Sequence, residues 1–406
     1  MKVVICGAGI AGLALANRVS ALDGEVVLLE RAADPRTQGY MIDFYGPGYD
    51  AVEAMDLLPA IEGVAYHIEE ASFLNERGRR RAGVRPEQFA TGPLLNLMRP
   101  DLERVLREHL PPEVDLQFGT GLVAVADHGD SVRVTLDDGA ELEADLLVGA
   151  DGIHSTVRRL VFGEEPRFFR YLGFHTAAFT FDAPEIHATV QGRVCLTDTV
   201  GRQMGFYGLR DGRVTAFAVH RTPDPTLPND VRAAVRDTYG GLGWVVPEAL
   251  EACPPSAEIY YDQVAQIEMP GWSKGRVVLV GDACYAVSLL AGLGASLGIA
   301  GAYVLADQLA RTRSIDEALV NYERLWRPVA EEKQKAGRGA ARWFLPASGL
   351  QLRARRAALR LARLPIIDRY VAALPAGKPT ALITNLREAS SSLRLTGVKP
   401  GQRGPS

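Results

Sequence analysis

Two hydrophobic patterns divide this chain. Short unbroken apolar runs occur at residues 3–5, 26–29, 146–148 and 277–280, and each reads as a strand buried on both faces. Between the first two, Leu13, Ala16 and Val19 recur at helical spacing. The second pattern is alternation. Residues 122–126, 132–136 and 141–144, with a turn at Asp137, Asp138 and Gly139, predict an antiparallel meander. Residues 166–270 alternate again, with strands expected at 176–181, 193–197, 203–207 and 214–220 and a helix at 230–239. An extended segment at 39–48, ending in turn residues, leads to a helix expected at 49–58, and a hairpin is expected around Asn75 to Gly78 within 68–89. Leu102, Val105, Leu106 and Leu110 line one side of a helix opened by Asp101, and further helices are expected at 296–311 and 315–338.

These elements divide the chain into three parts. Segments 1–70, 96–165 and 271–345 carry the buried strands and their helices, an α/β pattern with a parallel sheet. Segments 71–95 and 166–270 form an inserted, mainly antiparallel β-sheet domain. Residues 346–406 are a basic helical region ending in a tail, 401–406, expected to be disordered. There Leu352, Leu359 and Ala362 fall at i, i+7 and i+10 before Pro365 stops the helix. Arg353, Arg355, Arg356, Arg360, Arg363 and Arg369 are spread around it, so it is expected to pack on the body and snorkel its arginines.

Composition narrows the class. With 406 residues and a net charge of −4, nothing draws the whole chain to nucleic acid. Cys6, Cys195, Cys253 and Cys284 are scattered without a Cys-x-x-Cys pair, which points to a reduced, cytoplasmic setting and to no metal site. Residues 283–306 carry no charge, but glycines interrupt them and no basic cluster flanks them, so a loop and helix are expected rather than stable membrane insertion.

The candidate chemistry begins at the first strand. Gly7, Gly9 and Gly12 stand in Gly-x-Gly-x-x-Gly spacing between a buried strand and a helix, and the next strand ends on Glu30. Gly7 makes the tight turn, Gly9 admits a pyrophosphate to the backbone, and Gly12 allows close packing. The helix start at Ile10 and Ala11 offers N–H groups, and Glu30 can bind a ribose. Two further strands end in acids, at Asp151-Gly152 and Gly281-Asp282.

This constellation resembles the flavin-dependent aromatic hydroxylases, the para-hydroxybenzoate hydroxylase-like single-component monooxygenases, over roughly residues 1–345. The resemblance implies a Rossmann-like FAD-binding domain of the glutathione reductase type with an inserted substrate domain and C-terminal helices. It implies FAD held by Gly7, Gly9, Ile10, Ala11, Gly12, Glu30 and Arg31 at one end and by Arg99, Asp151, Gly152, Gly281 and Asp282 along its length. Gly292, Leu293, Gly294 and Ala295 would meet the flavin ring. The segment 39–48 looks most like the tetracycline-inactivating members, which implies that Asp43 lies near the flavin. The family pattern Gly-Asp-Ala-x-His, Pro, Gly-x-Gly-x-Asn, Asp is altered here to Tyr285, Leu289, Ser296 and Gly301.

The implied reaction takes NADPH or NADH as a transient co-substrate and O2, and passes one oxygen atom from a flavin C4a-hydroperoxide to an aromatic or polycyclic molecule such as a polyketide or an antibiotic. Epoxidation, Baeyer–Villiger insertion, another oxidation, and sequestration of a polycyclic ligand without turnover are the alternatives. A monomer or homodimer is expected. A His or Tyr could assist deprotonation of a phenol, and His175, Tyr207, His220 and Arg221 on the sheet domain are the candidates. Alternation puts His175 on a face with Ala177, Phe179 and Phe181, which is expected to line the substrate pocket or a satisfied core.

Overall fold

The computed structural model describes residues 1–85, 92–361 and 380–395. In chain order the elements are β1 (Lys2–Cys6), α1 (Ile10–Ser20), β2 (Glu25–Glu30), β3 (Met41–Tyr45), α2 (Pro47–Ala54), α3 (Leu58–Gly63), β4 (Glu70–Leu74), β5 (Arg80–Val84) and β6 (Leu94–Met98). Then come α4 (Arg99–Glu108), β7 (Asp115–Phe118), β8 (Leu122–Asp127), β9 (Val132–Leu136), β10 (Glu141–Ala144), β11 (Leu146–Gly149) and α5 (Thr156–Val161). The second half holds β12 (Phe169–Phe181), α6 (Pro184–Val190), β13 (Arg193–Thr197), β14 (Arg202–Gly208), β15 (Val214–Arg221), α7 (Val231–Tyr239), α8 (Val246–Glu251) and β16 (Tyr260–Ile267). It closes with β17 (Ser273–Lys274), β18 (Val277–Leu279), α9 (Asp282–Tyr285), α10 (Gly294–Arg311), α11 (Ile315–Phe344), α12 (Gly349–Leu361) and α13 (Leu382–Leu395).

The four apolar runs belong to one sheet, ordered β17-β18-β11-β1-β2-β7. All its pairings are parallel except the edge strand β17. Residues 3–5 are fully buried because α1 and α10 pack into the same core as the meander β8–β10, which contributes Val132 and Val134. A second sheet, ordered β16-β12-β15-β14-β13-β4-β5, is antiparallel except where β13 runs beside β4. A short ribbon, β3 with β6, lies between the two sheets in sequence and in space.

The second sheet buries both faces. One packs Ala177, Phe179, Met204 and Phe206 against α6, α7 and α8. The other, here the front, packs Met41, Met98, Tyr207 and Phe217 towards β3 and β6, and Phe174 and Val219 towards Leu290 and the end of α11. Alternation along β12 and β15 decides which side chains go to which face.

Several boundaries differ from expectation. The helix expected at 49–58 starts earlier, at Pro47, and breaks at Asp56, whose φ of 58° lies in the left-handed region, so α2 and α3 are separate. Strand β16 and helices α6 and α8 have no strong pattern in the sequence. The charge-free residues 283–306 form α9, a glycine-containing turn and α10. Among the described residues no helix is long and apolar enough to cross a membrane. Helix α12 packs on the body, but Arg355 does not snorkel: it is buried and, with Arg356, pairs with Asp198. The stop at Pro365, Arg363, Arg369, Phe89 and the tail 401–406 lie outside the described residues.

Candidate functional site

The three acid-ended strands meet at the carboxyl edge of the parallel sheet. Gly7 adopts φ +103°, and a Cβ there would stand 2.6 Å from the Ala150 carbonyl oxygen. A Cβ on Gly12 would stand 1.9 Å from the Gly7 oxygen, so both positions need glycine for the turn to close on itself. Gly9 differs: a Cβ there would meet nothing within 4 Å. It faces a cavity of about 310 Å³ lined by Ala8, Glu30, Arg31, Arg99 and Gly152 among others. Gly9 opens α1 without a side-chain cap and no acid stands in the first turn, which leaves the N–H groups of the Ile10–Gly12 turn for a ligand. The Glu30 carboxylate is pinned beside this turn, accepting from Ala8 N at 3.0 Å and Ala32 N at 2.9 Å.

Segments remote in sequence pack against this first turn. A Cβ on Gly281 would stand 2.9 Å from the Ala11 Cβ, and one on Gly298 3.4 Å from it, so the first and third glycine segments are in contact. Asp151 lines the same cavity, with its carboxylate already engaged by the chain. It accepts from Ser155 Oγ at 2.5 Å, Thr156 N at 2.7 Å and Val157 N at 3.0 Å, and so fastens the start of α5. Arg158, with no exposed surface, binds the Ala283 carbonyl at 2.9 Å and Glu165 at 2.9 Å, tying the second acid segment to the third. The sequence offered no signal for that link.

Asp282 and Asp43 share an unusual state. Both are exposed by surface area, yet burial pushes both carboxyls above the usual carboxylate range. The two observations agree if each side chain lines an internal cleft, enclosed by protein but reachable by a small molecule. Arg99, across from Asp282, offsets part of that rise and pairs with Glu103 at 3.1 Å. Asp43 accepts from Asn96 Nδ2 at 2.7 Å, directly across the β3–β6 ribbon, and its Oδ2 lies 3.9 Å from the Cβ position of Gly292, a glycine at φ +67°. Tyr40 completes the wall, its ring 5.3 Å from Tyr260 and 5.6 Å from Phe217. Burial pushes the Tyr40 phenol up to about 12, with Arg99 opposing. Tyr40, Asn96, Phe217 and Tyr260 were not singled out from the sequence, because register and tertiary approach bring them here. Leu293, Gly294 and Ala295 run from Gly292 into α10, and a Cβ on Gly294 would stand 3.7 Å from Asp282 Oδ1.

The histidine candidates require correction. His175 shares the face of Ala177 and Phe179 as alternation predicts, but that face turns to α7 and α8, away from the cleft. His175 Nδ1 lies 3.0 Å from Tyr261 Oη, and His220 Nδ1 lies 3.0 Å from Tyr239 Oη on α7. Burial lowers both imidazoles, His220 to about 4. Their place is a buried polar cluster behind the sheet, not a substrate pocket. Tyr207 does lie on the front, but its hydroxyl accepts from Met41 N at 2.7 Å and so anchors β3. The Arg221 guanidinium is spent on the Leu345 carbonyl and on the Phe174 ring at 4.6 Å.

Comparison with known proteins agrees with this geometry. The family model described as FAD binding domain matches residues 1–335. An uncharacterized protein of Mycobacterium tuberculosis is 35% identical over 323 residues, covering 76% of this chain and 84% of the relative. The flavin-dependent monooxygenase of Legionella longbeachae is 28% identical over 354 residues, covering 85% and 90%. Among solved structures, the tetracycline destructase Tet(51) superposes with a TM-score of 0.78 at 24% identity, covering 92% of this chain and 97% of that one. The open cradle at Gly9, the pinned Glu30 and the enclosed Asp282 fit an extended dinucleotide.

Proposed function

The chain belongs to the FAD-binding-domain family and is an FAD-dependent monooxygenase, and from that premise we propose that it uses NAD(P)H and O2 to hydroxylate an aromatic or polycyclic small molecule. The observation that carries this reading is the cleft between the Gly292 turn and the front of the second sheet, walled by Tyr40, Phe217 and Tyr260. Flat aromatic walls stack on flat ligands. The Legionella relative is named as a monooxygenase and the Tet(51) protein as a tetracycline destructase, which supports oxygen transfer to a ring compound.

In this reading Gly9 and the first turn of α1 take the pyrophosphate, Glu30 takes the ribose, and Asp282 with Arg99 takes the ribityl region. The turn from Gly292 to Ala295 meets the flavin ring. FAD, when bound, supplies the redox and oxygen-transfer chemistry. The chain's own residues bind, orient and exclude water: Met41, Met98 and Phe217 keep the front wall apolar, and Tyr207 fixes β3, which presents Asp43. No side-chain nucleophile is needed.

The test is substrate-stimulated NADPH oxidation by the FAD-loaded protein across a panel of polycyclic phenols that includes tetracycline. The expected result is a product gaining one oxygen atom by mass spectrometry, with NMR separating a new hydroxyl from an epoxide or a ring insertion. NADPH oxidation with no oxygenated product from any member of the panel overturns the reading.

A further inference from the structure

The cleft carries an asymmetry of charge. Asp43 and Met41 alternate on β3 and look the same way, so Asp43 stands where the Gly292 turn meets the apolar wall of Met41, Tyr207 and Phe217. Its Oδ1 is held by Asn96. Its Oδ2 has no hydrogen-bond partner and the carboxylate no cation partner among the described residues. The groups around it are the Asn96 amide from β6, the Tyr45 phenol on its own strand and the uncharged turn at Gly292. Among the described residues, Arg221 is engaged by Leu345 and Phe174, and Arg99 pairs with Glu103 and faces Asp282 at the ribityl region. Asp262 on β16 is taken by His154 at 3.4 Å.

We infer that this cleft selects uncharged aromatic molecules carrying a ring hydroxyl, which donates a hydrogen bond to Asp43 Oδ2, and rejects aromatic carboxylates. The inference rests on the flavoenzyme reading above and names the substrate class of that site. A ligand carboxylate would face Asp43 with no cation partner to Asp43 among the described residues, whereas a ring hydroxyl would supply a donor to Asp43 Oδ2. The flat walls at Tyr40, Tyr260 and Phe217 supply affinity without regard to charge.

The test is binding of a matched pair, 2-naphthol and 2-naphthoate, to the FAD-loaded protein at neutral pH, read by perturbation of the bound flavin's absorbance. The naphthol is expected to bind roughly tenfold to a hundredfold more tightly, the range of one hydrogen bond to a charged group. Asp43→Asn, which keeps the shape and removes the charge, is expected to bring the two affinities together. Asp43→Ser serves the same purpose should the amide variant fail to fold. Equal binding by the wild type, tighter naphthoate, no perturbation by either probe, or a ratio unchanged in the variants overturns the inference. An unchanged ratio would mean a general exclusion of charge by apolar walls. Protein that cannot be loaded with FAD fails at the earlier step, before either probe is added.

Discussion

The Tyr285 hydroxyl lies 2.0 Å from the point where a Cβ on Gly301 would stand, with Trp326 Nε1 2.6 Å from the same point. The two departures from the family pattern at these positions are therefore one device: the phenol fills the space that a side chain on α10 would need. Gly301→Ala is expected to destabilise by about 1–2 kcal/mol, because overpacking a closed core outweighs the helix-propensity gain of up to about 1 kcal/mol. Tyr285→Phe in the same chain should recover part of that loss, since the ring Cζ at 3.0 Å remains. Urea unfolding at a fixed FAD concentration measures both, and strictly additive effects would refute the coupling.

Gly9 and Gly12 should separate ligand from fold. Gly9 has ordinary backbone angles and open space where its Cβ would be, so Gly9→Val is expected to leave FAD-free stability within about 0.5 kcal/mol while abolishing FAD binding. Gly12→Val drives a side chain into the Gly7 carbonyl and should lower stability with or without FAD. Thermal unfolding of the stripped proteins, beside FAD titration, distinguishes them. A Gly9→Val protein that stays yellow would remove the pyrophosphate from that turn.

Glu30 is held by two backbone N–H groups before any ligand arrives, so its orientation is already fixed. Glu30→Ala is expected to raise the FAD dissociation constant roughly tenfold to a hundredfold, the range of lost hydrogen bonds to a charged group. Fluorescence quenching of free FAD gives the constant directly, and unchanged affinity would count against a ribose contact.

What was legible in the sequence follows backbone physics. The Gly7 turn shows because only glycine closes it, and the buried strands show because a parallel sheet covered on both faces reads as an unbroken apolar run. Asp43 was visible only through family likeness, and its partner Asn96 not at all, because their contact is a matter of strand register. Ser296 stands where the family has Asn. It is fully buried, accepts from Gly48 N at 2.9 Å and donates to the Tyr45 carbonyl, so it ties α10 to β3 and α2. Alternation placed His175 among the right neighbours but could not say which face of the sheet α7 would cover.

That cover makes His220 a source of acid sensitivity. Burial first, then the neighbouring His175, lowers its imidazole from 6.5 to about 4 in the folded protein. The unfolded chain therefore binds a proton that the folded one refuses. Stability is unaffected above about pH 6.5 and falls as pH drops from there towards 4. His220→Gln is expected to flatten that part of the stability curve, read from urea midpoints between pH 7 and pH 4. An equal acid slope in the variant would place the sensitivity elsewhere.

The last expectation concerns Asp198, which is 4% exposed and holds Arg355 at 2.8 Å and Arg356 at 2.5 Å. Arg355 also binds the Phe344 carbonyl at 2.6 Å and lies over the Phe73 ring at 4.8 Å. It thus joins α12 to the end of α11 and to the edge of the second sheet. Asp198→Ala leaves a buried guanidinium without its anion, and removing one partner of such a pair costs about 3–5 kcal/mol. Because α12 is held to the sheet by this pair, the loss should fall first on the helix: hydrogen exchange across Gly349–Leu361 should accelerate while β1 and β2 stay protected. Replacing both arginines by methionine in the Asp198→Ala chain removes the stranded charge and should restore much of the protection. If exchange in α12 is unchanged by Asp198→Ala, apolar contacts such as Leu352, rather than the ion pair, hold the helix in place.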